Sequence, residues 1–427
     1  MTLPEDFTTY TQQLMGENLF LTLLQGLEDE APTSIRLNPF KGAKASSAWR
    51  PVPWCPYGYY LPNRPNFTFD PLLHAGMYYV QEASSMFLDH LLRQLVKEPV
   101  LMLDLCAAPG GKSTCAMSAL PEGSLLFSNE PMKTRAQILS ENIQKFGHPR
   151  ITVTNNYPMD YRKSGLLFDV ILTDVPCSGE GMFRKDEGSI REWSLHNVEK
   201  CQQLQREIVT DCWSCLRPGG LLIYSTCTFN AHEDEENVEW ITHALGATAV
   251  EIPVEGSWNI TGPLVGSHPA YRFIPGKTKG EGLFMAVLRK NGEGKPLATD
   301  EKALAKLTAQ YQKEASKRLH VLCAGVKAGI QKGKDMIPDE SLALSITLRP
   351  SQYPMADINY DQAISYLRKE SIVLSPDIPR GIVLLTYHHI PLGFAKNIGN
   401  RANNLYPVEW KIKSSHIPEG DNHVLDI

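Results

Sequence analysis

With 427 residues, the chain is long enough for two or three domains with full hydrophobic cores. Its composition, 42% hydrophobic and 21% charged, is that of an ordinary globular protein, and its net charge of −5 excludes binding of nucleic acid through overall basicity. The first residues have no signal-peptide pattern, and no apolar run is long enough to span a bilayer. We therefore predict a cytoplasmic protein that has no membrane partner.

The nine cysteines predict free thiols, because their number is odd and their spacing is irregular. Cys212 and Cys215 form a CxxC pair, but they lie in a helical pattern with no second pair at zinc-finger spacing. We predict no metal site.

Three regions follow one another along the chain. Residues 1–75, rich in Pro and aromatic residues, include a short predicted helix over 7–15 and form an N-terminal α+β extension. Residues 76–290 alternate apolar strands with amphipathic helices. Residues 291–427 start with a polar linker, continue through a helical segment over 302–319 and end in short strands, which predicts a β-rich C-terminal domain.

The middle region predicts a doubly wound α/β sheet, because its strands and helices alternate strictly. The predicted strands cover 99–107, 124–130, 151–156, 169–175 and 220–227. The predicted helices cover 83–96, 112–120, 132–146, 197–216 and 233–245, and the acidic run 232–236 fits the start of the last one. Such sheets bind ligands at the carboxyl ends of their strands, so the functional residues should lie there.

The first strand ends in a turn of small residues that lets the backbone approach a ligand. This turn comprises Cys106, Ala107, Ala108, Pro109, Gly110, Gly111 and Lys112. A phosphate-binding P-loop would need a glycine in place of Cys106. A nucleoside site is favoured, because Glu130 ends the second strand 19 residues after Gly111, where an acid binds ribose hydroxyls. An ordinary glycine turn with a helix-capping glutamate is the open alternative.

A cysteine follows each of two later strands. Asp174 and Cys177 follow the fourth strand, and Cys227 follows the fifth. A single cysteine is usually an inert buried thiol, but two at equivalent strand ends indicate chemistry in one pocket. The residues alone do not establish which thiol reacts.

Three segments, LDLCAAPGGKS, TDVPCSGEG and YSTCT, carry a specific resemblance. In this order they resemble the RNA 5-methylcytosine methyltransferases of the Nop/Sun group, and the bacterial RsmF-type ribosomal enzymes are the most similar. The segments 35–39, 76–84, 184–186 and 280–284 agree with it, so the resemblance extends over about residues 30–290. It implies a Rossmann-like class I methyltransferase fold and S-adenosylmethionine as cofactor.

The chemistry of this family explains why a thiol is needed. Carbon 5 of cytosine is a poor nucleophile until a thiolate adds to carbon 6 and turns the ring into an enamine. Enzymes that methylate exocyclic amines need no such nucleophile and resemble one another in an Asp/Asn-Pro-Pro-aromatic sequence, where this chain reads DVPC.

The resemblance also assigns the site residues. Cys227 would be the nucleophile, Cys177 would assist product release, and Lys112 and Asp174 would line the active site. DNA methyltransferases use the other cysteine as nucleophile, so this order rests on the resemblance. The residues that would bind S-adenosylmethionine are Cys106, Ala107, Ala108, Pro109, Gly110, Gly111, Lys112, Glu130, Arg135, Asn156 and Asp174. Tyr157 stands where the family offers an aspartate near adenine, which leaves Asn156 or a backbone group for that contact.

The flanking regions predict the partner. Between residues 380 and 413 there are five Arg or Lys and one Glu, a local charge of +4 with interleaved aromatic residues. The resemblance implies a PUA-like RNA-binding module there and an RNA-binding role for residues 1–75. A packed β domain with solvated charges is the alternative. We expect a monomer acting on RNA, ribosomal RNA more than transfer RNA.

Overall fold

The computed structural model describes residues 1–294, 300–333, 335–414, 416–420 and 422–426. Part of the predicted polar linker, residues 295–299, lies outside these described residues. No helix in the described part of the chain is long and apolar enough to cross a membrane.

The N-terminal region is a helix followed by a small antiparallel sheet of strand order β2-β3-β1-β4. Its elements are α1 (Glu5–Glu28), β1 (Ser34–Leu37), β2 (Arg50–Pro51), β3 (Gly58–Tyr60), α2 (Pro71–His74) and β4 (Tyr78–Val80). The helix predicted over 7–15 is confirmed but continues to Glu28, past a kink at Gly16, where φ is 72°. Strand β4 shows that this sheet extends beyond residue 75.

The central region holds the large sheet and the helices on its two faces. Its first half comprises α3 (Phe87–Leu95), β5 (Leu101–Asp104), α4 (Gly111–Ala119), β6 (Leu125–Asn129), α5 (Lys133–Phe146), β7 (Ile151–Thr154) and α6 (Pro158–Ser164). Its second half comprises β8 (Phe168–Asp174), α7 (Glu187–Glu192), α8 (Leu195–Trp213), β9 (Leu216–Thr226), α9 (Glu235–Leu245), β10 (Ala247–Ala249), β11 (Tyr271–Phe273) and β12 (Leu283–Lys290).

The predicted α/β sheet is confirmed. Strands β7, β6, β5, β8 and β9 lie side by side and are parallel, whereas β12 and β10 continue the sheet beyond β9 in antiparallel fashion. All side chains of β5 and β6 are buried, because separate apolar cores cover the two faces of the sheet. The carboxyl ends of β5, β6, β8 and β9 therefore meet along one edge.

The C-terminal region begins with a helix that returns to the large sheet. Its elements are α10 (Glu301–Arg318), β13 (Val321–Ala324), β14 (Gly329–Lys332), β15 (Asp335–Pro338), α11 (Glu340–Ala343), β16 (Met355–Asp357), α12 (Tyr360–Leu367), β17 (Gly381–Tyr387), β18 (Ile390–Asn397) and β19 (Ala402–Asn404). Strand β13 pairs with β7 and forms the far edge of the large sheet. Strands β16 to β19 form a separate four-stranded sheet, as the predicted β-rich domain requires.

The N-terminal sheet and the C-terminal sheet share one hydrophobic core. Ile35 and Tyr78 from the first region belong to the same buried cluster as Ile364 and Val383 from the last. A polar link crosses this interface as well, since Asp70 accepts hydrogen bonds from the Tyr78 hydroxyl at 2.7 Å and the backbone N–H of residue 424 at 2.9 Å. The two ends of the chain therefore stabilise each other.

All nine cysteines are free thiols, as predicted. Cys212 and Cys215 are buried at the end of α8. Among the described residues, no group of three or more His, Cys, Asp or Glu side chains is arranged to hold a metal ion.

Candidate active site

The turn after β5 is held at the sheet edge by backbone contacts. The N–H of Ala107 donates to the carbonyl oxygen of Asn129 at the end of β6, with a distance of 2.8 Å. Gly110 precedes α4 with a φ of 114°, a conformation that a side chain would strain. The first turn of α4 therefore faces the open edge of the sheet.

A cavity of about 380 Å³ opens between this turn and the ends of β8 and β9. It brings together eight of the predicted site residues: Cys106, Ala107, Ala108, Pro109, Gly111, Lys112, Asp174 and Cys227. The other predicted residues, Gly110, Glu130, Arg135, Asn156 and Cys177, do not line it.

Lys112 and Asp174 form an ion pair inside the cavity. The distance from Lys112 Nζ to Asp174 Oδ2 is 2.7 Å. Burial disfavours the charged amine, but the adjacent Asp174 carboxylate outweighs this effect and raises the pKa of Lys112. The ammonium therefore stays charged and holds the carboxylate in place.

A buried carboxyl group, Asp104, lies at the end of β5, two residues before Cys106. Asp104 is fully buried, its Oδ2 accepts from the Ser113 hydroxyl at 2.6 Å, and its Oδ1 has no hydrogen-bond partner among the described residues. Burial raises the pKa of Asp104 to about 7, and the nearby Asp174 contributes to this rise. Burial and the same carboxylates raise the pKa of Cys106, so this thiol is unsuited to act as a nucleophile.

Glu130 lies at the end of β6, 1% exposed, beside the cofactor turn. Its Oε1 accepts from the backbone N–H of Met132 at 2.9 Å, and its Oε2 lies 3.6 Å from Arg135 Nη1. Arg135 also donates to the carbonyl oxygen of Ala108 at 3.0 Å. Arg135 thus connects the acidic residue of β6 to the turn after β5.

Asn156 forms hydrogen bonds within the fold through both its side chain and its backbone. Its side chain donates to the carbonyl oxygen of His320 at 3.2 Å and accepts from the N–H of the same residue at 2.9 Å. Its own N–H donates to Asn129 Oδ1 at 3.1 Å. Tyr157, beside it, is 63% exposed. Asn156 thus connects β7 to the segment before β13, and any adenine contact there would have to accommodate these bonds.

The two predicted thiols meet. The distance between Cys177 Sγ and Cys227 Sγ is 3.1 Å, and only Cys227 lines the cavity. The hydrogen bond to Cys227, together with burial, raises the pKa of Cys177 well above its usual range. The raised pKa favours Cys177 as the protonated sulfur of the pair, and Cys227 is the sulfur that lines the cavity.

Several cavity residues were not singled out from the sequence. They are Tyr79, Gln81, Glu82, Ser85, Lys185 and Glu281. Lys185 Nζ lies 3.0 Å from Glu281 Oε1, and the Glu82 carboxylate accepts from the backbone N–H of Glu281 at 2.9 Å. The signal was present, because these residues lie within or next to the segments 76–84, 184–186 and 280–284 that carry the resemblance, but those segments had no assigned role.

The acidic run at 232–236 only partly starts a helix. Glu235 and Glu236 lie in the first turn of α9, as predicted. Glu233 and Asp234 precede the helix and are fully buried, where they accept specific hydrogen bonds instead of facing solvent near the helix dipole. Their contacts, with the backbone N–H of Ser178 and the hydroxyl of Thr226, depend on tertiary packing, which the charge pattern alone does not reveal.

The α/β sheet, its glycine-containing turn and the thiol opposite define a Rossmann-like, S-adenosylmethionine-dependent methyltransferase. Three family models match the chain: 16S rRNA methyltransferase RsmB/F over residues 92–289, the N-terminal domain of 16S rRNA methyltransferase RsmF over 3–83, and the methyltransferase RsmF PUA domain over 355–412. The chain belongs to this RsmB/F family of methyltransferases.

Curated relatives and solved structures agree with this assignment. The chain is 27% identical to "Ribosomal RNA small subunit methyltransferase F" of Cronobacter sakazakii and to that of Citrobacter koseri, with 95% of this chain and 96% of each relative covered. A methyltransferase homolog protein from Pyrococcus horikoshii is 24% identical with a TM-score of 0.57, over 67% of this chain and 95% of its own. NSun6 from Pyrococcus horikoshii with SFG is 20% identical with a TM-score of 0.57, over 68% of this chain and 99% of its own. At these identities the two structures support the fold.

The site fits this cofactor. S-adenosylmethionine carries a positive sulfonium, a positive ammonium and a ribose. The unpaired oxygen of Asp104, near the carboxylates of Glu130 and Asp174, is an acceptor that suits a positively charged group of this cofactor. The small side chains from Ala107 to Gly111 leave the backbone accessible.

Proposed function

We propose that this methyltransferase modifies carbon 5 of a cytosine in small-subunit ribosomal RNA, with Cys227 as the covalent nucleophile. The observation that carries the proposal is the thiol pair: Cys227 lines the cavity beside Lys112, and Cys177 stands 3.1 Å behind it. Methylation of an exocyclic amine or a ribose hydroxyl would use neither thiol.

Access and protonation support this order of the two thiols. A nucleophile must reach the base, and of the two sulfurs Cys227 lines the cavity. Release removes the carbon-5 proton and expels the Cys227 sulfur, and the Cys177 thiol, which its raised pKa keeps protonated, can donate a hydrogen bond to that departing sulfur. Cys227 therefore adds to the base, and Cys177 takes part in release.

The reaction then proceeds in balanced steps. The Cys227 thiolate forms a bond to carbon 6, and the ring electrons move so that carbon 5 becomes nucleophilic. S-adenosylmethionine, when bound, supplies the electrophilic methyl group. Loss of the carbon-5 proton to a base then breaks the bond between carbon 6 and sulfur, which restores the ring and the thiolate. The ring nitrogen takes up the proton that the Cys227 thiol gives up, and the Asp174 carboxylate, held by Lys112 at 2.7 Å, can accept a hydrogen bond from the resulting ring N–H.

For the cofactor, we assign the residues that the resemblance implied. The turn from Cys106 to Lys112 would hold the methionine part, and Glu130 the ribose hydroxyls. Arg135 would act by holding Glu130 and the turn together, since it contacts both. Asn156 would act by holding the end of β7 in place beside the cofactor, because its side chain is bonded to residue 320 and its backbone N–H to Asn129.

The RNA assignment extends to the flanking regions. The relatives are named for the small-subunit ribosomal RNA, and the C-terminal match is to a PUA domain. We propose that residues 1–75 and 291–427 flank the methyltransferase domain, contact RNA, and work in a cytoplasmic, monomeric enzyme. The charge of +4 between residues 380 and 413 supports phosphate contact.

The thiol order is tested by comparing Cys227→Ala with Cys177→Ala on RNA substrate. Cys227→Ala should abolish methylation and form no covalent adduct. Cys177→Ala should still attack carbon 6 and transfer the methyl group, then accumulate as a protein–RNA adduct on denaturing gels, because release is impaired while addition is not.

Two other outcomes would count against the proposal. An adduct that accumulates in Cys227→Ala and not in Cys177→Ala would reverse the thiol order. Intact methylation in both variants, with no adduct, would eliminate the covalent mechanism. Bisulfite sequencing of the product RNA identifies the base and position that are modified.

A further inference from the structure

The two thiols lie on two loops that contact each other closely. We call residues 176–182 the Cys177 loop and residues 227–234 the Cys227 loop. The backbone N–H of Gly181 donates to the carbonyl oxygen of Cys227 at 2.7 Å, and an added Cβ at Gly181 would lie 2.9 Å from that oxygen. The loops are thus in backbone contact beside the sulfurs.

A carboxylate from the Cys177 loop binds backbone groups of the Cys227 loop. Glu180 is 1% exposed and accepts hydrogen bonds from the N–H groups of Phe229 and Asn230, the latter at 3.1 Å. Its Oε1 also accepts from the side chain of Asn230 and from Trp193 Nε1, both at 2.9 Å. All of these partners are donors.

A carboxylate from the Cys227 loop binds the Cys177 loop in return. Glu233 is fully buried, and its Oε2 accepts from the backbone N–H of Ser178 at 3.0 Å and from Gln205 Nε2 at 2.7 Å. Its Oε1 accepts from Asn230 Nδ2 at 2.9 Å. Asn230 therefore donates from one nitrogen to Glu180 and Glu233 and lies between the two carboxylates.

We propose that Glu180, Glu233 and Asn230 are positioning residues that fix the spacing of the two thiols during the reaction. Each carboxylate binds the backbone directly next to, or within three residues of, the cysteine on the other loop. None of the three lines the cavity, so they act through the loops and not on the substrate. The proposal rests on the proposed covalent function, because only that chemistry needs two thiols at a set distance.

The arrangement is costly for stability, which argues against a purely structural role. Two carboxylates in one buried site repel each other, and burial followed by the charge of Glu180 raises the pKa of Glu233 to about 7. Well-packed apolar residues commonly stabilise a protein as well as or better than buried charges do. Unlike apolar side chains, the two carboxylates bind particular backbone N–H groups of the opposite loop and so fix its position.

The test variant is Glu233→Gln, with Glu236→Gln as matched control. The glutamine side-chain oxygen can still accept from the backbone N–H of Ser178. Its NH₂ group then faces the side-chain NH₂ of Asn230, so the hydrogen bond between residues 233 and 230 is lost. Glu236 belongs to the same acidic run, but its carboxylate is 42% exposed and pairs with His232 and Gln202.

The first measurement is of spacing, independent of catalysis. Dibromobimane joins neighbouring thiols, and peptide mass spectrometry reports the yield of the link between Cys177 and Cys227. The yield should fall in Glu233→Gln and stay at the wild-type level in the control. The second measurement is kinetic: kcat should fall by about 10²-fold, as for reacting groups displaced by about 1 Å, with the KM for RNA and the affinity for S-adenosylmethionine unchanged.

The outcomes separate the two proposals. Unchanged linking and unchanged kcat in a folded Glu233→Gln would overturn the positioning role, as would equal losses of kcat and cofactor affinity. Failure of the covalent function would instead show as methylation by Cys227→Ala, while the linking yield still reports the spacing. If thermal melting shows that Glu233→Gln does not fold, Glu180→Gln is judged by the same criteria.

Discussion

Replacing Asp104 by Asn should make the cofactor-free protein more stable at pH 8 and weaken S-adenosylmethionine binding. Asp104 is fully buried, and one of its oxygens has no hydrogen-bond partner among the described residues. Its carboxylate is therefore a cost to the fold that a bound cation would offset. Asparagine keeps the shape and the contact with Ser113 but removes the charge.

The magnitude follows from the pKa. A rise from 3.8 to about 7 corresponds to about 4 kcal/mol at ~1.4 kcal/mol per pKa unit. Because the folded pKa of this acid is raised, the folded protein binds the proton more tightly than the unfolded chain. Stability is therefore lost as the pH rises from about 4 to about 7, and the full cost remains above that window. The new amide leaves an N–H group unpaired, which costs about 1–3 kcal/mol.

Asp104→Asn should therefore raise the free energy of unfolding by about 1–3 kcal/mol at pH 8. At pH 5 only about 1.5 kcal/mol of the cost of the carboxylate is present, so the change in the free energy of unfolding should be close to zero. Thermal melting of the cofactor-free protein at both pH values measures the difference, expected as a few degrees at pH 8. Asp377→Asn, at an exposed site, is the control and should be neutral at both. Calorimetry at pH 8 should show weaker cofactor binding. A variant that melts below the wild type by the same amount at pH 8 and pH 5 would refute the reasoning.

Two further predictions concern the ligands. Glu130→Gln should weaken S-adenosylmethionine binding by about 1–3 kcal/mol in calorimetry, because the ribose hydroxyls lose charge-assisted hydrogen bonds; an unchanged affinity would exclude Glu130 from ribose binding. Arg380 and Arg401 are both exposed in the C-terminal sheet region. Replacing both by Glu should weaken RNA binding, while cofactor affinity stays constant. The slope of log affinity against log salt concentration should become shallower by the equivalent of about 2 phosphate contacts. An unchanged salt slope would place the RNA elsewhere.

The sequence predicted the elements that depend on local pattern. The strands that end at Asp104, Asn129, Asp174 and Thr226 were recognised from buried apolar runs, and the rule for parallel sheets placed their carboxyl ends together. The meeting of Cys177 with its partner thiol followed from the same rule. Both results needed only periodicity and topology.

The contacts that were missed join distant parts of the chain. Phe7 of α1 packs edge-on against Phe183 and Trp193, at ring distances of 5.2 and 5.3 Å, so α1 supports the segment after the Cys177 loop. The sequence analysis gave Glu180 no role and placed Glu233 at the start of a helix, because the donors that bind them come from other loops. Charge and periodicity do not report which backbone amides a folded chain brings to a buried acid.

The core shared by the first and last sheets also sets an order of events during synthesis. Strand β4 ends at Val80, but its packing partners in the C-terminal region, from Ala356 onwards, are made about 280 residues later. At a translation rate of about 5–20 residues per second, the N-terminal sheet leaves the ribosome roughly 15–60 s before the residues that cover it. During that interval Ile35 and Tyr78 lack their apolar partners from the C-terminal region, so the start of the chain completes its core only when its end has been made.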